Sequence, residues 1–227
     1  RGSWDSPPPQ LASSIALRRR GTHDRPTMMS ADPALALTVA YLRLNGYLVL
    51  TEQELHVREP VGFRTLTDID IIALRPPTAP GPPHHHLGQE VEECLIVTDV
   101  DPTLDVDTSR FDVIIGEVKT AEAGINPALL TPGALHATLR RTGDLYSIPL
   151  DQTVDELIAS GSTTTPTARI RLVVFAGRGR EGRATTIHLG DAARFIRHHL
   201  KSHHDLYRAT RFSDPVVALL ELLERVR

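Results

Sequence analysis

The stretch FDVIIGEVKT, residues Phe111–Thr120, constrains this chain more than any other. Val113, Ile114, Ile115 and Val118 are apolar and β-branched. A near-continuous run of that kind suits a strand dry on both faces. Such a strand lies inside a sheet covered by helices, so the flanking sequence must supply both. Asp32-Pro33 has the form of a helix start, a capping side chain followed by proline in the first turn. Leu37, Ala40, Tyr41 and Leu44 then share one helical face, and Asn45-Gly46 supplies the stop. Tyr47–Leu50 reads as a strand that runs on toward Val57, Arg58–Arg64 as a turn with Pro60 and Gly62, and TDIDIIAL (Thr67–Leu74) as a second strand.

Beyond the central strand, Thr131-Pro132 opens a second helix that ends at Gly143. A short helix is expected near Val154–Ala159. RIRLVVFA (Arg169–Ala176) is a strong strand and Thr185–Leu189 a weaker one. Asp191–Lys201 and Asp214–Val226 have helical spacing. Helix, three strands, helix and strand, followed by accessory helices, is an α/β order with a mixed central sheet. The third strand, the second helix and the fourth strand form a crossover unit.

One folded domain is expected over 30–227, and 41% hydrophobic residues in 227 are enough for its core. Residues 1–29 are rich in Pro, Ser and Arg and read as a flexible extension, with Met28 or Met29 as a natural start. Residues 75–110 read as an insertion between two core strands. It contains the loop-like RPPTAPGPPHHHLG, a short added strand at Cys94–Val97, and the acidic Asp99, Asp101, Asp105 and Asp107, taken as a solvated loop. Cys94 is the single cysteine, which excludes an internal disulfide and a paired-cysteine zinc site and fits a reducing cytoplasm. No apolar run approaches the roughly 20 residues that span a bilayer. The formal net charge of −3 neither demands nor excludes a nucleic-acid partner.

Two strands carry polar residues that a dry sheet does not want. Residues two apart on a strand share a face, so Glu117 and Lys119 project together, roughly 7 Å apart at Cα. Asp68 and Asp70 do the same on TDIDIIAL. If the two strands are neighbours, an aspartate and Glu117 converge, and two carboxylates in a half-dry site repel unless a cation lies between them. Hard oxygen ligands of that kind suit Mg²⁺ or Mn²⁺. A lysine beside the ion orients a water and offsets charge building on a phosphate.

TDIDIIAL and GEVKT together resemble the PD-(D/E)XK nuclease superfamily, the restriction-endonuclease-like fold, over Asp32 to about Ala176. The resemblance implies an αβββαβ core and hydrolysis of phosphodiester bonds, mostly in DNA. It implies Asp70 and Glu117 as metal ligands, the Val118 carbonyl as a third, and Lys119 as the water-positioning base. The family's frequent extra acid on the first helix has no counterpart at Thr38 or its neighbours, and Glu52 and Glu54 are the candidates to replace it. The expected activity is thus a Mg²⁺- or Mn²⁺-dependent DNA nuclease with Asp70, Glu117 and Lys119 at its centre. The alternative is a nuclease-fold module without activity that binds nucleic acid or a protein partner. The apolar last helix leaves a homodimer open. Removing Lys119 is expected to relieve a partly buried charge.

His136 and Arg140 lie four apart on the second helix and share a face; with Arg141 they are candidates for substrate phosphates. His84-His85-His86 reads as solvated loop. His199 and His203 have the i, i+4 spacing of a helical metal pair, but no acid stands out as a third ligand, so they read as surface. Gly177–Arg183 reads as a flexible basic loop or a hairpin turn.

Overall fold

Asp32 starts the first helix, α1 (Pro33–Leu44), by accepting the Ala34 N–H at 2.8 Å, with Pro33 in the first turn. Asn45 ends it, donating its side-chain amide to the Tyr41 carbonyl, and Gly46 turns the chain at a φ of 84°. The computed structural model describes residues 32–78, 98–143, 145–179, 182–209 and 214–226. Two long strands follow, β1 (Leu48–Arg58) and β2 (Phe63–Arg75), then β3 (Phe111–Glu122), α2 (Pro132–Arg140) and α3 (Leu150–Ser160). The chain continues through β4 (Ser162–Thr164), β5 (Ala168–Arg178), β6 (Thr185–His188), α4 (Leu189–Ser202), α5 (His204–Ala209) and α6 (Pro215–Arg225).

The sheet is mixed, in the order β1-β2-β3-β5, with β4 and β6 sharing the far edge of β5. β1, β2 and β3 pair antiparallel, and β3 pairs with β5 in parallel along most of its length. A parallel neighbour needs a crossover, and the segment carrying α2 and α3 supplies it. β6 also runs parallel to β5, which rules out the hairpin expected after Gly177.

Helices cover both faces, as the apolar central strand requires. Ile114 and Val118 of β3 and Val173 and Phe175 of β5 pack with Tyr41 and Leu42 of α1, Ile196 and Leu200 of α4, and Val217 of α6. On the other face Val113, Ile115, Ile170 and Leu172 pack with Leu135 and Leu139 of α2 and Val154 and Leu157 of α3. Gly116 lies between: a Cβ there would stand 3.3 Å from Ile71 and 3.4 Å from the Phe175 ring. Among the described residues, no helix is long and apolar enough to cross a membrane.

In the return limb of the 75–110 insertion Asp105 is solvent-exposed, as expected, but Asp99 and Asp101 are tied into the fold. Asp99 gives its N–H to the Leu44 carbonyl at the end of α1. Asp101 is buried, accepts the Tyr41 hydroxyl at 2.9 Å and caps a 3-10 turn at Pro102–Leu104, whose Leu104 is fully buried. The Leu104 carbonyl accepts from Arg171, a buried arginine of β5 whose guanidinium also grips Asp112 through Nε–Oδ1 (3.2 Å) and Nη2–Oδ2 (2.8 Å). Tyr47 donates to the same carboxylate, and its phenol is pushed up by burial and by Asp112. Thr78 N–H donates to the Thr108 carbonyl at 3.0 Å, joining the two limbs of the insertion at its base. The expected strand at Cys94–Val97 and the His84-His85-His86 run lie outside the described residues.

Candidate active site at the fork of two strands

The β2–β3 ladder runs from Arg75↔Asp112 to Ile71↔Gly116 and stops there. Continued, its next rung would set Asp70 against Glu117. Instead the Asp70 side chain enters the gap and its Oδ2 accepts the Val118 N–H at 2.7 Å. A carboxylate has replaced a backbone partner, so the strands fork without orphaning that amide.

Alternation along β2 also breaks at Asp70. Ile71 and Ala73 belong to the α1 face and Ile72 to the α2 face. Strict alternation would put Ile69 with Ile71, yet Ile69 packs with Ile72. The neighbouring strand is irregular at the same rung. Thr51 pairs with Ile71 and Gln53 with Ile69, so Glu52 stands opposite Asp70, and Glu52 has a φ of 52°. A left-handed residue inside a strand turns the chain about its axis. The step aims Glu52, Glu54, Asp68 and Asp70 into one cleft beside the start of α1.

That cleft has a volume of about 280 Å³ and is lined by Asp32, Leu35, Glu52, Glu54, Asp68, Asp70, Val118 and Lys119. Five carboxylates thus face one ammonium, a charge balance that favours a bound cation. Glu52 and Glu54, the sequence's candidates for an extra acid, are here. Asp32 is here too; as a helix cap, its second position on the cleft had no sequence signal.

Glu117 sits on the other side of the fork and is almost fully buried, 3% exposed. Its Oε2 pairs with Lys119 Nζ at 2.6 Å and its Oε1 accepts the Asn126 N–H at 3.2 Å. Asn126 reaches back to β2, donating its side-chain amide to Thr67 Oγ1 at 3.0 Å, and accepts the Ala128 N–H. The loop after β3 therefore clasps both prongs of the fork. Burial alone would lower the Lys119 pKa, but Glu117 beside it, with Asp70 and Asp68, outweighs that and holds the ammonium above its ordinary value. Lys119 is a fixed positive charge rather than a proton acceptor.

Carboxylates, each with about four lone-pair sites, and a main-chain carbonyl at Val118 are donors of the kind that a hard divalent ion takes. Asp70 and Glu117 each use part of that capacity on protein donors. Both offer hard oxygen donors of the kind Mg²⁺ or Mn²⁺ takes; Asp70 lines the cleft and Glu117 lies behind Lys119.

The α2 candidates lie elsewhere. His136 Nε2 pairs with Asp151 of α3 at 2.8 Å, Arg141 donates to Gln53 Oε1 of β1 at 2.7 Å, and Arg140 is exposed. None of the three lines the cleft.

A second polar cluster lies at the other end of α1. His199 is buried, not on the surface as its sequence neighbourhood suggested. Its Nδ1 is 2.6 Å from Asp99 Oδ2 and its Nε2 2.7 Å from the Tyr207 hydroxyl, while His203 Nε2 is 3.0 Å from the same Asp99 oxygen. Burial lowers the His199 pKa, with Asp99 pulling the other way. The acid that the histidine pair lacked in sequence is 100 residues upstream of His199. No local pattern could have joined them.

No protein family, curated protein or solved structure matches this chain.

Proposed function

We propose that the chain is a Mg²⁺- or Mn²⁺-dependent phosphodiesterase acting on nucleic acid, DNA foremost, built on a restriction-endonuclease-like core. One observation carries this reading: the fork brings Asp70, Glu117 and Lys119 to the same break in the sheet. The order helix, three antiparallel strands, helical crossover and parallel strand supports the same core. Asp70, Glu117 and the Val118 carbonyl are the residues that would hold the ion. Bound there, the ion supplies a more acidic water and compensates charge on a phosphate oxygen.

The protein's own part is positioning. Asp70 is fixed by Val118, Glu117 by Asn126, and Lys119 by Glu117. Lys119, held charged, donates toward a phosphate oxygen or the attacking water and sets its orientation. Arg140, exposed on α2 and outside the cleft, is open to non-specific contact with a polyanion. A cleft of five carboxylates repels nucleic acid until a cation neutralises it, so substrate affinity should rise with the divalent ion. The single Cys94 suits a reducing, cytoplasmic setting.

A second reading is a binding module of the same fold without activity. It is favoured by Glu117, both of whose oxygens are engaged by protein donors. One experiment separates the two: plasmid, linear duplex and single-stranded DNA with Mg²⁺, Mn²⁺ or EDTA, for parent and Glu117→Ala. Metal-dependent cutting lost in the variant supports the phosphodiesterase. Cutting of equal rate in Glu117→Ala overturns the site. No cutting in any condition, with no uptake of Mg²⁺ or Mn²⁺, leaves the binding module.

A further inference from the structure

The Asp99, His199, His203 and Tyr207 cluster stands apart from the fork. α1 separates them: Asp32 at its start lines the cleft, and the Leu44 carbonyl near its end holds Asp99. Twelve helical residues span roughly 18 Å.

Three ligand atoms here lie within 4.8 Å of one another: Asp99 Oδ2, His199 Nδ1 and His203 Nε2. Two imidazoles and a carboxylate are the donor set of a first-row divalent ion, zinc above all. In a tetrahedral zinc site, ligand atoms about 2.0–2.1 Å from the metal are roughly 3.3 Å from each other. The observed 2.6 and 3.0 Å need to open by less than an ångström. The two histidine nitrogens, within 4.8 Å of each other, would close by at most about 1.5 Å.

The surroundings have the features of a metal centre. His199 uses its other nitrogen on the Tyr207 hydroxyl, the outer contact that fixes the tautomer and ring of a ligating histidine. Its ring stacks on Phe195 at 6.3 Å and lies 4.6 Å from the His203 ring, so the pair is oriented by packing. The His199 side chain is inaccessible, while Asp99 and His203 keep 40% and 29% exposure. Water therefore reaches the carboxylate side, where a fourth ligand would sit. The ligands come from two anchors: Asp99 from the insertion's return limb, and His199 and His203 from the last turn and cap of α4.

We propose that Asp99, His199 and His203 form a zinc site, with Tyr207 as its positioning residue, that staples the insertion's return limb to the end of α4. The site is independent of the phosphodiesterase reading and of Glu117.

The test is calorimetric titration of the full chain, stripped with EDTA and dialysed, with ZnCl₂, and with CoCl₂ for its absorption bands. The parent should bind one Zn²⁺ per chain, and Co²⁺ should give the intense visible bands of a four-coordinate site. Tyr207→Phe should weaken binding by about 10–100-fold. His203→Ala and Asp99→Asn, both partly exposed and checked by circular dichroism, should weaken it more. The triple variant His84→Ala, His85→Ala, His86→Ala and the variant Glu117→Ala should bind as the parent does. No stoichiometric uptake by the parent overturns the site. So does parent-like binding by His203→Ala or Asp99→Asn, or loss of the ion in the loop or Glu117 variants.

Discussion

Asp70 and Val118, 48 residues apart, are joined by a carboxylate-to-amide hydrogen bond of 2.7 Å that stands where the β2–β3 ladder would have continued. The bond serves both architecture and chemistry, and two substitutions separate those roles. Asp70→Asn keeps an oxygen for the Val118 N–H and should stay within about 1 kcal/mol of the parent. Asp70→Ala leaves that amide short of a partner and should cost about 1–3 kcal/mol. Both should abolish metal-dependent cleavage. Urea unfolding beside a cleavage assay checks this; an active Asp70→Asn would remove Asp70 from the ligand set.

Lys119 was expected to be a charge the fold would be better without. Its pairing reverses that, because removing it strands the nearly buried Glu117. Lys119→Met should lose about 1–2 kcal/mol at neutral pH, less than a fully buried pair because the ammonium reaches water. The pH dependence has a definite sign. The folded pKa lies above the ordinary 10.5, so the lysine's contribution is complete below pH 10.5 and fades as pH rises through the folded value. The gap between parent and Lys119→Met, measured with EDTA present, should be flat near neutrality and narrow only above about pH 10.5. A gap that stays constant as the pH rises well past 10.5 would contradict the pairing.

Asn126→Ala should loosen the clasp across the fork. It removes the Thr67 and Ala128 contacts while leaving the Glu117 bond to the main chain at 126. A loss of about 1–2 kcal/mol is expected. Cleavage should fall with little change in substrate KM, since Glu117 becomes mobile rather than absent. Unchanged kcat would show that the backbone bond alone fixes Glu117.

Glu52 holds a left-handed conformation that a β-strand glutamate rarely adopts. Glu52→Gly should therefore raise stability by about 1 kcal/mol while removing one cleft carboxylate. Thermal unfolding reads the first effect and Mg²⁺ affinity the second. A loss of stability would mean that the turn at Glu52 is imposed by side-chain contacts rather than endured.

Asp112→Asn should cost about 3–5 kcal/mol, because it leaves the Arg171 guanidinium buried without its counter-charge. Replacing the pair together, Asp112→Leu with Arg171→Met, should recover most of the loss. A double variant no better than the single one would point to the Leu104 and Tyr47 contacts as the dominant share.

The elements that are regular were legible. The apolar β3 and β5 strands, the proline-capped α1 and α2, and the mixed α/β sheet follow from period and caps that each segment carries within itself. What escaped is what depends on distance along the chain. Arg171 has no partner within RIRLVVFA; Asp112, 59 residues away, neutralises it. Asp99 and Asp101 look solvated until α1 and α4 close on them. Within the candidate site, Glu117, Lys119 and Asp70 were read from two motifs, but the fork was not. Strict alternation predicts no break in a strand, and nothing in the sequence marks Glu52 as left-handed.

The Thr78–Thr108 bond and the Asp99–Leu44 bond turn residues 75–110 into an excursion that leaves and rejoins the sheet through a fixed gate. The length of chain between Thr78 and Thr98 is thereby decoupled from strand register. Chain added between these two bonds would therefore be carried outside the strand register that holds Asp70 and Glu117.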